Sequence, residues 1–262
     1  MLIYAFDGVG TNGRVTGSVL AHTADHLAAK LDCKAEWIPW GHSSMLGMGA
    51  GGSWADNSRA GDDELVRRMN SHDDDIVLLS FSGGSKPAHD FLDQHPHFHH
   101  RVKAAGFLSD PWRPRDRWQH GLASPGGWGV CGERYTPISD RAWWTAVPGD
   151  VIPNAPHDSL LRYFADVSYG HPDHMIHEAI EAFQQGRFQL AAHLELPLLE
   201  RIFGLGRRMR EASDAVWRYL NGFHTNHYLG PVDTGNGDLR SLAERLADSV
   251  AWGVETRYGL VE

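Results

Sequence analysis

Apolar positions along the first half of the chain follow two alternating rhythms. Predominantly apolar runs at residues 2–6, 35–40, 76–81 and 102–108 predict strands. Between them the apolar residues recur every three or four positions. Leu20, Ala21, Ala24, Leu27, Ala28 and Leu31 give this helical spacing across residues 18–31. Shorter helices are expected over 62–70 and 86–94, and the Gly- and Ser-rich stretch 41–57 reads as a long surface loop. Apolar strands alternating with helices predict a mostly parallel sheet covered on both sides, an α/β fold.

The second half has a different texture. Residues 109–140 are a loop rich in Pro, Gly and Trp, and a fifth strand over 142–147 stops at Pro148-Gly149-Asp150. A nearly continuous helical zone follows over 174–220, broken at Gly186, Pro197 and Gly204, and a last helix is expected over 239–252. The expected organisation is one domain over 1–262, with a helical cap or linker inserted at about 172–222.

Composition narrows the class. The 262 residues are 42% hydrophobic, enough to bury the core of one such domain, and no run approaches the ~18 apolar residues of a membrane span. The first residues read as a strand and not as a leader peptide. A formal charge of -9 lacks the basic footprint of a nucleic-acid binder, so no nucleic-acid partner is expected. Cys33 and Cys131 do not make a disulfide framework and read as reduced thiols. The 10 Trp are more unusual: Trp112, Trp118, Trp128, Trp143 and Trp144 would suit a lipid-facing groove, with core packing accounting for at least half.

Chemistry concentrates after the third strand. Ser80-Phe81-Ser82-Gly83-Gly84 sits between an apolar strand and a helix, the context of a G-x-S-x-G nucleophile elbow with Ser80 in the first small position. Small residues on both sides of Ser82 let strand and helix pass closely, lifting the hydroxyl above the sheet. The Gly83 amide becomes an oxyanion donor, and Gly8, Val9 and Gly10 in the loop after the first strand are placed to supply a second.

A serine needs a base, and the base needs a carboxylate. Asp150, at the end of the fifth strand, fits the acid; Asp110, Asp140 and Asp158 are lesser candidates. The base belongs on the loop before the last helix, where His224 and His227 both qualify.

These pieces, in this order, resemble the lysin B esterases of mycobacteriophages, in the cutinase-like branch of the α/β hydrolases. The resemblance rests on Phe6-Asp-Gly-Val-Gly-Thr11, on the elbow, on Ser109-Asp-Pro-Trp-Arg113 (similar to G-N-P-M-R in the family), on Gly149-Asp150 and on the late His. Ser80 and Gly83 stand where the family's usual G-Y-S-Q-G elbow has Gly and Gln, and Asp7 where a His is common. The resemblance implies an α/β-hydrolase fold and a serine esterase without metal or organic cofactor. Its implied substrate is a lipid ester, specifically the mycolic acid–arabinogalactan ester of a mycobacterial-type envelope. It also implies a soluble protein made in the host cytoplasm, released at lysis and touching the lipid envelope only peripherally.

Two other readings compete. Gly8, Gly10 and Gly13 spell G-x-G-x-x-G after a first strand, as in dinucleotide-binding Rossmann proteins, although the second strand lacks a terminal acid for the ribose. A non-catalytic α/β module that holds lipid without cleaving it would reduce Ser82 to a turn residue. The His-rich segments 95–100 and 171–177 lack recognised catalytic zinc spacing and read as solvated turns.

Overall fold

A computed structural model describes residues 1–9, 11, 13–40, 54–119, 121–162, 205–233 and 237–258. Five parallel strands form one sheet: β1 (Leu2–Phe6), β2 (Lys34–Trp37), β3 (Ile76–Phe81), β4 (Val102–Leu108) and β5 (Ala142–Thr145), in the order β2-β1-β3-β4-β5. Five helices are described: α1 (Val19–Leu31), α2 (Trp54–Met69), α3 (Ser85–Gln94), α4 (Leu205–Arg218) and α5 (Leu242–Tyr258).

Alternation along each strand divides the core into two layers. Ile3, Ala5, Val77, Leu79 and Leu108 face α1 and α5, meeting Leu20, Leu27, Leu246 and Val250. Tyr4, Phe6, Leu78, Ala105 and Phe107 face α2 and α3, meeting Leu65, Met69, Phe91 and Leu92. With helices on both faces, β1, β3 and β4 need no polar side and read as largely apolar, whereas the edge strand β2 exposes Lys34 and Glu36.

The crossovers decide where a site can form. From β1 the chain moves outward to β2, whereas from β3 it moves the other way to β4 and β5. The connections leaving β1 and β3 therefore part, opening a crevice beyond the carboxyl ends of these neighbours, the usual ligand position in an open α/β sheet.

Several element ends differ from the sequence expectation for identifiable reasons. β2 stops at Trp37, ahead of Pro39, which has no N–H to continue the ladder; Ile38 still donates to the Ala5 carbonyl at 2.9 Å. Helix α2 starts at Trp54 rather than at 62, because Gly61 hides its continuity. A side chain at Gly61 would lie 2.5 Å from the Trp40 Cβ, so this glycine serves packing and does not end the helix. Helix α5 starts three residues late, at Leu242. Ser241 Oγ accepts from the Glu244 amide while Glu244 reaches back to the Ser241 amide at 2.8 Å, a capping box. Strand β5 ends at Thr145. Of the expected helical zone over 174–220, the described part is α4 and a wide turn over Tyr219–Phe223; residues 163–204 lie outside the described residues.

Candidate active site

Ser82 follows the last residue of β3 and has φ 53, a left-handed conformation that strains any side chain but glycine. The strain is imposed by a tight bend from β3 into α3. A Cβ on Gly84 would fall on the carbonyl oxygens of Phe6 and Asp7, so only glycine lets the bend pass the end of β1. Behind it, Ser80 Oγ lies 3.1 Å from Ser85 Oγ, tying the two sides of the turn together. The consequence is an elbow that holds the Ser82 hydroxyl at the crevice between β1 and β3.

The structure brings two of the distant candidates to that hydroxyl. His224, just beyond the wide turn after α4, places Nε2 2.8 Å from Ser82 Oγ. Its Nδ1 lies 3.1 Å from Oδ2 and 3.3 Å from Oδ1 of Asp150. A carboxylate only accepts, so Nδ1 carries the proton and Nε2 is left to accept from the serine hydroxyl. Phe81 and Tyr219 flank the imidazole at ring-centroid distances of 5.0 and 4.8 Å, fixing its plane.

Asp150 is fully buried and richly bonded. Oδ2 accepts from Ser109 Oγ at 2.6 Å and from the Tyr228 hydroxyl at 2.9 Å, and Oδ1 accepts from the Ile152 amide at 3.1 Å. Burial, reinforced by the adjacent Asp150 carboxylate, pushes the Tyr228 phenol well above its ordinary value, so it stays a donor. Ser109 Oγ also lies 3.0 Å from His224 Nδ1. Sequence reasoning missed both Ser109 and Tyr228. Their roles depend on contacts 41 and 78 residues away, for which no local pattern exists.

The remaining candidates separate cleanly. His227 is exposed, stacks on Phe223 at 4.0 Å and lies on the outer side of the loop. Asp110 is buried against His89 and the Trp144 indole, each at 2.9 Å. Asp140 pairs with Arg257 at 2.6 Å and Asp158 with Arg207 at 2.6 Å. Around the serine, a Cβ on Gly8 would come 3.8 Å from Ser82 Cβ, and one on Gly83 would collide with Val9 Cγ2. The loop after β1 thus lies directly on the elbow. The Gly8 amide donates to Asp7 Oδ1 at 2.8 Å and is committed there. Gly10 lies outside the described residues.

A cavity of about 430 Å³ opens beside Ser82, walled by Val9, Val15, Phe81, Tyr219 and Leu229. None of the five tryptophans expected in a lipid-facing groove lines it. Trp144 is buried, Trp128 has the guanidinium groups of Arg115 and Arg162 over its ring at 4.4 and 4.0 Å, and Trp143 packs where Gly253 leaves room. Cys33 and Cys131 are not bridged to each other. His95 pairs with Asp62 at 2.9 Å and the segment 171–177 lies outside the described residues. Among the described residues no helix is long and apolar enough to cross a membrane.

The described elements that follow β1 do not fit a dinucleotide-binding unit. Helix α1 begins at Val19, beyond Gly13 instead of at it, and Glu36 of β2 is paired with Arg68 at 2.9 Å. The parallel sheet order, the two helical layers and the strained serine elbow together make this an α/β-hydrolase fold.

No protein-family profile matches the sequence, and no curated protein is significantly similar to it. Among solved structures it is similar to lysin B from Mycobacteriophage D29, at 18% identity over 84% of this chain and 88% of that one, with a TM-score of 0.49. It is also similar to a cutinase-like protein from Cryptococcus sp., at 13% identity over 73% and 93%, with a TM-score of 0.47. A third is the catalytic core domain of acetyl xylan esterase from Trichoderma reesei, at 16% identity over 64% and 92%, with a TM-score of 0.41.

Proposed function

We propose that the protein is a serine carboxylic ester hydrolase with Ser82 as nucleophile, His224 as base and Asp150 as the acid that orients it. One observation carries this reading: a single imidazole bridges the elbow hydroxyl at 2.8 Å and a fully buried carboxylate at 3.1 Å. The non-catalytic alternative gives no reason to keep a strained serine against a buried imidazole that is itself held by a buried carboxylate.

In the forward step His224 Nε2 takes the Ser82 proton as Oγ adds to the ester carbonyl. Asp150 supports the imidazolium through the Nδ1 proton. The Gly83 amide holds the oxyanion, with Val9 next along the β1 loop as second donor, since the Gly8 amide is bound to Asp7. The imidazolium returns its proton to the departing alkoxide. Water, deprotonated by His224, then releases the carboxylic acid and restores Ser82. These steps draw every proton from the chain or from water.

The mostly apolar wall beside Ser82 favours a lipid acyl group over a charged one. The finer reading is the mycolic acid–arabinogalactan ester, cleaved during phage lysis; its support is the order of motifs from Phe6 to His224.

A fluorophosphonate probe followed by peptide mass spectrometry tests the class: the mass adduct is expected on Ser82, and labelling elsewhere or nowhere overturns it. Turnover of p-nitrophenyl butyrate is expected from the parent and to vanish in Ser82→Ala. Release of free mycolic acid from purified mycolyl-arabinogalactan tests the finer reading, which fails if only simple esters are cleaved.

A further inference from the structure

We infer that Ser109 is a positioning residue that shares the His224 Nδ1 proton with Asp150, making a four-residue relay of Ser82, His224, Asp150 and Ser109. The inference rests on the proposed serine-hydrolase reading and concerns a residue that reading does not require.

Distances point to it first. The two Asp150 oxygens lie 3.1 and 3.3 Å from Nδ1, long for a charge-assisted bond, which ordinarily closes to about 2.7–2.9 Å. The nearest oxygen to Nδ1 is instead Ser109 Oγ, at 3.0 Å. Ser109 cannot donate to a protonated Nδ1, and its own hydrogen has a better destination in Asp150 Oδ2 at 2.6 Å. Its lone pairs therefore face the imidazole. One hydroxyl both donates to the carboxylate and accepts from the ring. When Nε2 gains the serine proton, that oxygen lies against the positive edge of the imidazolium.

The backbone gives an independent reason. Three described residues other than glycine have positive φ: Asp32, Ser82 and Ser109. Asp32 caps the end of α1, a common place for that conformation. The other two converge on His224. Ser109 has φ 50, is fully buried and is pinned by its amide to the Thr145 carbonyl at 3.0 Å. Glycine would adopt this turn out of β4 without strain, so a serine here carries a cost that only its hydroxyl offsets.

Replacement by glycine separates the two effects, because Ser109→Gly relaxes the backbone and deletes the hydroxyl. In p-nitrophenyl butyrate hydrolysis, kcat is expected to fall about tenfold with KM unchanged, the loss of one hydrogen bond to a charged group. The Tm of Ser109→Gly should lie above that of Ser109→Ala, because only the glycine relieves the backbone while both lose the bond to Asp150. Ser109→Ala keeps the strain, so it should show the same kcat loss with a lower Tm. A parental kcat in Ser109→Gly, or a kcat that falls only as the folded fraction falls, overturns the inference. If the parent itself hydrolyses no ester and Ser82 takes no fluorophosphonate, the esterase reading is what fails. The low-field His224 Nδ1–H proton signal then decides for Ser109 by itself: it should move in Ser109→Gly, and an unmoved signal refutes the shared proton.

Discussion

Val9 and Gly83 meet so closely that a methyl group on Gly83 would occupy the place of Val9 Cγ2. The contact locks the β1 loop onto the elbow and sets the spacing of their amides. Gly83→Ala should push the loop away, costing about 1–3 kcal/mol of stability and lowering kcat by about 100-fold through the disturbed oxyanion donors. Gly84→Ala meets backbone carbonyls of β1 that cannot step aside. Its stability loss in urea denaturation should exceed that of Gly83→Ala; equal losses would contradict the close approach.

The two histidines of one short loop should behave very differently. His224 is buried between Ser82 and Asp150, whereas His227 stacks on Phe223 at the surface. His224→Ala is expected to reduce kcat on p-nitrophenyl butyrate by roughly 10⁴-fold or more. His227→Ala should stay within about twofold of the parent, since it removes an exposed contact only. A comparable loss in both variants would remove the distinction and with it the proposed base.

That pair also marks how far the sequence could be read. The strands, α1 and the strand–serine–helix context of the elbow were legible because each is a local signal: an apolar run, a helical period, small residues round one serine. The choice between His224 and His227 was not, since three residues of separation are resolved only by which side of the wide turn over Tyr219–Phe223 faces β3. Ser109 and Tyr228 lacked any signal for the same reason. The tryptophans could not be sorted from sequence because a large aromatic reads alike in a groove, in a core, as Trp144 is, or beside two arginines, as Trp128 is.

Asp7 gives the fold a pH dependence of definite sign. It is 3% exposed, and burial raises its carboxyl above the ordinary value despite hydrogen bonds from the Gly8 amide and Ser18. A carboxyl whose folded pKa exceeds its unfolded one contributes stability that is full below the unfolded value. That contribution is lost as pH rises through the folded value. At neutral pH the ionised group therefore destabilises the fold relative to a neutral isostere. Asn can still accept from the Gly8 amide, so Asp7→Asn should melt higher than the parent at pH 7–8, with the gap closing toward pH 4. A gap independent of pH would exclude the carboxyl as its source.

Arg113 ties the acid's loop to the rest of the molecule, and its replacement tests whether that loop is held from outside the relay. The side chain is fully buried, and burial pushes its guanidinium down to about 10, which leaves it charged at neutral pH. Instead of a carboxylate it finds acceptors: the Pro153 carbonyl at 2.8 Å, the Gly127 carbonyl at 2.9 Å and Asn154 Oδ1 at 2.8 Å, besides carbonyls of Pro114 and Arg117. Asn154 in turn donates to the Val147 carbonyl at 2.7 Å, bracketing Asp150 between two fixed points. Lysine offers three donors from one atom and cannot span that fork. Arg113→Lys should lose about 3–5 kcal/mol, from stranded acceptors round a buried charge, and melt on the order of 10 °C lower. Measured well below its Tm, the folded variant should still show a reduced kcat, because Asp150 is no longer held against His224. Full kcat in the folded variant would mean that Ser109, Tyr228 and Ile152 position the carboxylate without help from Arg113.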